Sequence, residues 1–304
     1  MSNINQMPVD VAALRSHTQS FMNFVHFVKH DFAFQPTKGH HLTCVNFSDI
    51  RERTDDFISS LIVTTCNWVF SRANQDRILA ERNIQYQNPA MAGASLMQDV
   101  AKKFRRGEPQ GQFGELLLFN FLQHFFGAVP LLRKMSLTTN PALERNGADA
   151  IHYMHENGAN KLYLGESKCY ESKYKFRDAF KASLDSIKTT FDSIDRELDL
   201  YLPDEFVDPQ LLGIAKAYKA NTLQNIHFEL VCIIVYQEHK NFTFQSENQI
   251  KSDILKIVTS RCGGIQSADF ASVTHLLPRL NYIVFPSWAL SELLDKFSKM
   301  LGTT

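Results

Sequence analysis

The dipeptide Asn157-Gly158 constrains this chain more than any other feature. Both residues accept positive φ, and between two apolar segments they are a strong signal for a two-residue β-hairpin loop. The flanking segments are Gly147-Ala148-Asp149-Ala150-Ile151-His152-Tyr153 and Leu162-Tyr163-Leu164-Gly165-Glu166-Ser167-Lys168. If Asn157 and Gly158 form the loop, position 156 pairs with 159, and the ladder runs back to set Asp149 across from Glu166. Their β-carbons are then roughly 5 Å apart. A four-residue loop would put Asp149 opposite Lys168, on the same face, whereas a three-residue loop would turn it away.

Residues two apart on a strand share a face, so Glu166 and Lys168 point together while Ser167 points away. Two facing carboxylates repel unless a proton or a divalent cation lies between them. The pattern therefore favours a metal site. Glu-x-Lys alone is weak evidence, because the chain also holds Glu171-Ser172-Lys173 and Glu238-His239-Lys240. Of the three copies, only Glu166 has an aspartate placed opposite it by a tight turn.

Composition narrows the class. With 44% hydrophobic and 21% charged residues over 304 positions, the chain reads as globular, one large domain or two modest ones. A formal net charge of zero gives no overall field to attract nucleic acid, so polyanion binding needs local patches or a partner. The five cysteines show no Cys-x-x-Cys spacing, which argues against structural zinc and suggests reduced thiols. No signal peptide is indicated, and the longest apolar stretches are too short to span a bilayer. The expectation is a soluble cytoplasmic protein with no membrane segment.

Along the chain, residues 1–105 read as a mixed α+β module suited to partner docking. It holds a strand over 41–47, a helix capped by Thr54, polar helices over 71–82 and 90–104, and His40-His41 in a loop. A soft boundary falls in the breaker cluster 106–111, and residues 106–304 read as a second domain. There the pattern predicts a buried helix over 114–126, a strand over 129–137, and the hairpin 148–156 with 160–168. A long helix over 176–200, a central strand over 228–236, a helix over 250–258, a short strand over 282–285 and a closing helix over 288–301 follow. The fold class is α/β.

That order, with Asp149 on the second strand and Glu166 and Lys168 on the third, resembles the core of the PD-(D/E)XK nuclease superfamily, a restriction-endonuclease-like mixed sheet flanked by helices. Ala148 stands where the usual proline would be. Many members carry a glutamate on the first core helix, and Glu115 fits that place. Four blocks are more specific: 111–118 (Gly-Gln-Phe-Gly-Glu-Leu-Leu-Leu), 134–137 (Lys-Met-Ser-Leu), 147–152 (Gly-Ala-Asp-Ala-Ile-His) and 164–168 (Leu-Gly-Glu-Ser-Lys). Together they resemble the HamA family of Hachiman anti-phage systems. The resemblance implies an effector nuclease acting on DNA beside a helicase partner (HamB-like).

The chemistry expected of such a site is phosphodiester hydrolysis. Mg²⁺, with Mn²⁺ as a substitute, takes oxygen ligands, and Asp149, Glu166 and the Ser167 carbonyl are the candidate set. Lys168 would orient the nucleophilic water or neutralise phosphate charge, and Glu115 would bind or orient the metal from its helix. The plain alternative is a salt bridge among Asp149, Glu166 and Lys168, worth at most about 1 kcal/mol. His152 and His155 face oppositely on one strand, so packing or hydrogen bonding suits them better than ligation. Basic residues at Lys102, Lys103, Arg105 and Arg106, and at Lys173, Lys175, Arg177 and Lys181, suit phosphate contacts, which position a strand without reading it. Cleavage is thus expected to be sequence-nonspecific. No Walker-type loop is present, so nucleotide use belongs to a partner. Two rival readings are a catalytically silent adaptor that docks a helicase, and a stand-alone restriction or repair nuclease.

Overall fold

The computed structural model describes residues 10–303 apart from 17, 33, 108, 134, 136–146, 173–174, 202–206 and 242–245. Its strands are Val25–His30 (β1), His40–Val45 (β2), Phe47–Ser48 (β3), Arg51–Glu52 (β4), Val129–Leu132 (β5), Ala150–Glu156 (β6), Ala159–Tyr170 (β7), Ile226–Gln237 (β8) and Leu280–Ser287 (β9). Its α-helices are Gln19–Met22 (α1), Thr54–Val69 (α2), Arg72–Tyr86 (α3), Pro89–Ala101 (α4), Pro109–Phe126 (α5), Phe176–Tyr201 (α6), Leu212–Lys219 (α7), Glu247–Cys262 (α8) and Leu290–Leu301 (α9). Seven strands form one mixed sheet in the order β1-β2-β9-β8-β7-β6-β5.

β8 shows why the sheet is sandwiched. From Leu230 to Tyr236 every residue is buried, and a strand apolar on both faces needs helices above and below it. Leu230, Cys232 and Ile234 pack with Leu184, Ile187, Ile254 and Val258 of α6 and α8. Val231, Ile233 and Val235 pack with Leu61, Leu117, Leu118 and Phe297 of α2, α5 and α9. β7, β8, β9 and β2 run parallel, and β6 folds antiparallel onto β7. The fold is α/β, a mixed sheet flanked by helices. Segments on both sides of position 105 share that sheet, since β2 pairs with β9.

Several boundaries differ from the sequence expectation. Thr54 is the first helical residue of α2 and not its cap; its hydroxyl instead donates to Glu52 Oε2 at 3.3 Å. His40 and His41 belong to β2, not to a loop: His40 is buried and bonds the Pro36 carbonyl at 3.0 Å, while His41 stacks on Phe125. The strand expected over 129–137 is formed over Val129–Leu132, and Lys134, Ser136 and Leu137 lie outside the described residues. β1 has no counterpart in the sequence reading, because the alternation of an edge strand such as Val-His-Phe-Val-Lys-His is blurred by its half-exposed residues.

Candidate functional site

Asn157 and Gly158 have φ of 53° and 76°, the double positive φ that a type I′ loop demands. Glu156 pairs with Ala159 and Ala150 with Gly165, so the two-residue loop and its register are formed. Asp149 sits one residue beyond the last pair. Its backbone N–H donates at 3.0 Å to the carbonyl of Gly165, the residue already paired with Ala150, so the regular ladder ends there and does not itself set Asp149 opposite Glu166. Its Oδ2 accepts the Ser167 N–H at 2.7 Å.

Face assignment follows from alternation. Leu164 packs in the cluster beneath α6, so Glu166, two after it in β7, belongs to that same face. Glu166 is 4% exposed; its Oε1 accepts from Thr190 Oγ1 of α6 at 2.5 Å, and Lys168 Nζ lies 3.7 Å from its Oε2. Ser167 faces the other way. A β-carbon on Gly114 of α5 would collide with Ser167 Oγ, and one on Gly165 would meet Leu118 Cδ2 at 2.7 Å, so both glycines let α5 lie close on β7.

Glu115 is therefore carried by the helix on the opposite sheet face from Glu166. Its carboxylate turns back along α5, its Oε1 3.9 Å from where a Gly111 β-carbon would be. Among the described residues no group of three or more His, Cys, Asp or Glu side chains is placed to hold a metal, so Glu115, Asp149 and Glu166 do not form a three-acid cluster. Asp149 meets the β7 backbone at Ser167, next in sequence to Glu166. The Ser167 N–H points to the Asp149 side, and in a strand the carbonyl of a residue leaves on the same edge as its N–H. That edge offers the Asp149 carboxylate and a carbonyl beside Glu166, oxygen donors of the kind a hard divalent cation takes.

Two residues that hold this edge escaped sequence reading. Glu197 of α6, 5% exposed, accepts the Ala148 N–H at 2.9 Å and packs against Gly147, whose φ of +97° leaves no room for a side chain. Thr190 supports Glu166. With Ser183 they form a buried polar row at intervals of about two helical turns along the inner face of α6. The readable signal was polar residues at positions where an amphipathic helix should be apolar.

The other expected residues fall into place separately. His152 is buried against Phe119 on the α5 face, with neither ring nitrogen hydrogen-bonded; burial, aided by the charge of Arg133, lowers its pKa to about 3. His155 Nδ1 lies 3.2 Å from Asn160 Oδ1. Lys102 pairs with Asp99, Arg177 with Asp269, and Lys173 lies outside the described residues. All five cysteines are free thiols. No helix among the described residues is long and apolar enough to cross a membrane.

Against known proteins, residues 20–301 match the family model HamA. The chain belongs to the HamA family. Membership brings a role in Hachiman anti-phage defence and a partner within that defence system. The match spans nearly all of the described chain, so the family's fold includes β1 and β2 as well as the hairpin. No curated protein matches the chain.

Proposed function

We propose that this HamA-family chain is a metal-dependent, sequence-nonspecific DNA nuclease of PD-(D/E)XK type, the effector of a two-component defence complex with a helicase. The observation that carries the reading is that Asp149 Oδ2 accepts the N–H of Ser167, the residue between Glu166 and Lys168, with Lys168 Nζ 3.7 Å from Glu166. A structural salt bridge needs one acid and one base; a second buried-edge carboxylate adds repulsion that a bound cation removes.

Asp149, Glu166 and the Ser167 carbonyl would hold Mg²⁺ or Mn²⁺. When bound, the ion supplies Lewis acidity toward a phosphate oxygen and lowers the pKa of a coordinated water. Lys168, at 3.7 Å from Glu166, is placed to orient the attacking water or to stabilise negative charge developing on the phosphate. Thr190 and Glu197 act on the geometry, holding the Glu166 carboxylate and the 147–149 backbone in position. Glu115 lies on the opposite sheet face with its carboxylate turned back along α5, and the site is proposed without it.

The test is degradation of plasmid and linear DNA by the purified chain, alone and with its helicase partner, in Mg²⁺ or EDTA. Activity should require the metal and disappear in Asp149→Ala, Glu166→Ala and Lys168→Ala. DNA loss that survives those substitutions refutes the site. Phage protection that persists in Asp149→Ala cells favours the adaptor reading instead.

A further inference from the structure

A cavity of about 170 Å³ opens at the start of α6, lined by Phe176 and Arg177 of that helix, Tyr236 and Gln237 at the end of β8, His239, and Arg261 and Gly264 at and just past the end of α8. Lys168 is paired with Ile234 and Tyr170 with Tyr236 across β7 and β8. Tyr236 packs in the cluster beneath α6, so it shares a face with Glu166 and Lys168. Two residues along a strand and one strand across put Tyr236 about 8 Å from Lys168, Cα to Cα.

The two arginines are held in place by buried acids. Asp269 takes Arg177 Nε and Nη2 at 3.0 and 2.9 Å; Glu238 takes Arg261 Nε and Nη2 at 2.9 and 2.6 Å. In each pair the carboxylate occupies one edge of the guanidinium plane, and in Arg177 it uses two of five N–H donors. Orienting a guanidinium in advance removes the entropy its long side chain would lose on gripping an anion, and its planar fork matches phosphate oxygens. Beside the arginines, Phe176 and Tyr236 form an aromatic wall with ring centroids 4.9 Å apart. The cavity is too small for a base pair and admits at most part of one nucleotide.

Resting on the nuclease reading, we infer that this pocket is a subsite for one unpaired nucleotide of the DNA strand being cut, with its phosphate on Arg177 and Arg261 and its sugar and base along Phe176 and Tyr236. Such a subsite accepts any base, because contacts to phosphate and to a ring face carry no sequence information. It also demands that the strand be locally unpaired, which a helicase delivers.

The experiment measures fluorescence anisotropy of a labelled 12-nucleotide deoxythymidine oligomer with the full-length chain in EDTA, where no cleavage occurs. Arg177→Gln and His239→Glu should each weaken binding about tenfold or more, and Arg177→Gln should reduce the salt slope by about one. Thermal melts of all variants confirm folding. His239→Glu keeps the test sharp if Arg177→Gln fails to fold, since it leaves the Asp269 pair intact. The inference is overturned if both variants bind normally, if the unsubstituted chain does not bind the oligomer, or if deoxythymidine monophosphate displaces it at the oligomer's own Kd, the mark of a free-nucleotide site. Pocket-dependent binding in a chain that never cuts DNA would instead overturn the nuclease reading and leave the subsite standing.

Discussion

Two Glu-x-Lys tripeptides lie on β7 and just past the end of the neighbouring β8, and their glutamates have been put to different uses. Glu238, just past β8, is closed in. Arg261 forks onto both of its oxygens, the N–H groups of His239 and Lys240 donate to Oε1 at 2.8 and 2.9 Å, and the Tyr236 hydroxyl reaches Oε2 at 3.3 Å. Burial pushes its carboxyl up, but the Arg261 fork and the two N–H bonds outweigh that and hold it at about 2. Glu166, on β7, is also buried but meets a hydroxyl and an ammonium 3.7 Å away, with a second acid, Asp149, on the N–H of the next residue. An acid locked by a guanidinium stabilises a strand end. An acid beside another acid suits a cation. The tripeptide does not distinguish them; the neighbouring groups do.

The largest effect that would break this contrast is on catalysis. Glu166→Gln should cut DNA cleavage by about 10³-fold or more, roughly 4 kcal/mol of transition-state stabilisation, with little change in melting temperature. Equal losses of activity and stability would make Glu166 a second structural acid. Next in size is Arg261→Met, which strands the Glu238 carboxylate in the core and should cost about 3–5 kcal/mol in denaturant unfolding. A loss under about 1 kcal/mol would show that Glu238 is not locked as described.

Acid titration sharpens the comparison further. The folded pKa of Glu238 lies below its ordinary value, so its contribution is present above about pH 4.5 and is lost as pH falls toward 2. Buried His40 and His152 are also lowered, by burial first, to about 4 and about 3. They stay neutral in the fold while the unfolded chain takes up protons below about pH 6.5, so stability falls as pH drops through that range, by about 1.4 kcal/mol per pH unit for each histidine. His152→Phe should flatten the slope between pH 6 and 4; an unchanged slope means His152 is not held neutral. The smallest effect expected is from Thr190→Val, about 1 kcal/mol from one lost hydrogen bond to Glu166, read as a lowered midpoint with unchanged denaturant slope.

The sequence carried the hairpin and its register as far as Ala150 and Gly165, because Asn157-Gly158 has few conformational options; at Asp149 the ladder departs from it. It also exposed β8, whose unbroken apolar run fits only a central strand. It did not expose the supports of the site. Glu197 meets Ala148 from 49 residues away and Thr190 meets Glu166 from 24, contacts that exist only once α6 lies across β7. The pocket was hidden for the same reason: Arg177 and Asp269 are 92 residues apart, and their pairing depends on how α6 meets the 3-10 segment Ser267–Arg279. Local geometry was legible, and long-range side-chain pairing was not.

The claim on which the account depends is that Asp149 and Glu166 grip one divalent ion. Crystals of the chain soaked in Mn²⁺ and measured at the manganese edge test it most directly. The account predicts an anomalous peak within coordination distance of both carboxylates, absent from Glu166→Ala crystals. Manganese bound only elsewhere, or no peak at saturating Mn²⁺ in a preparation that still cuts DNA, would contradict it.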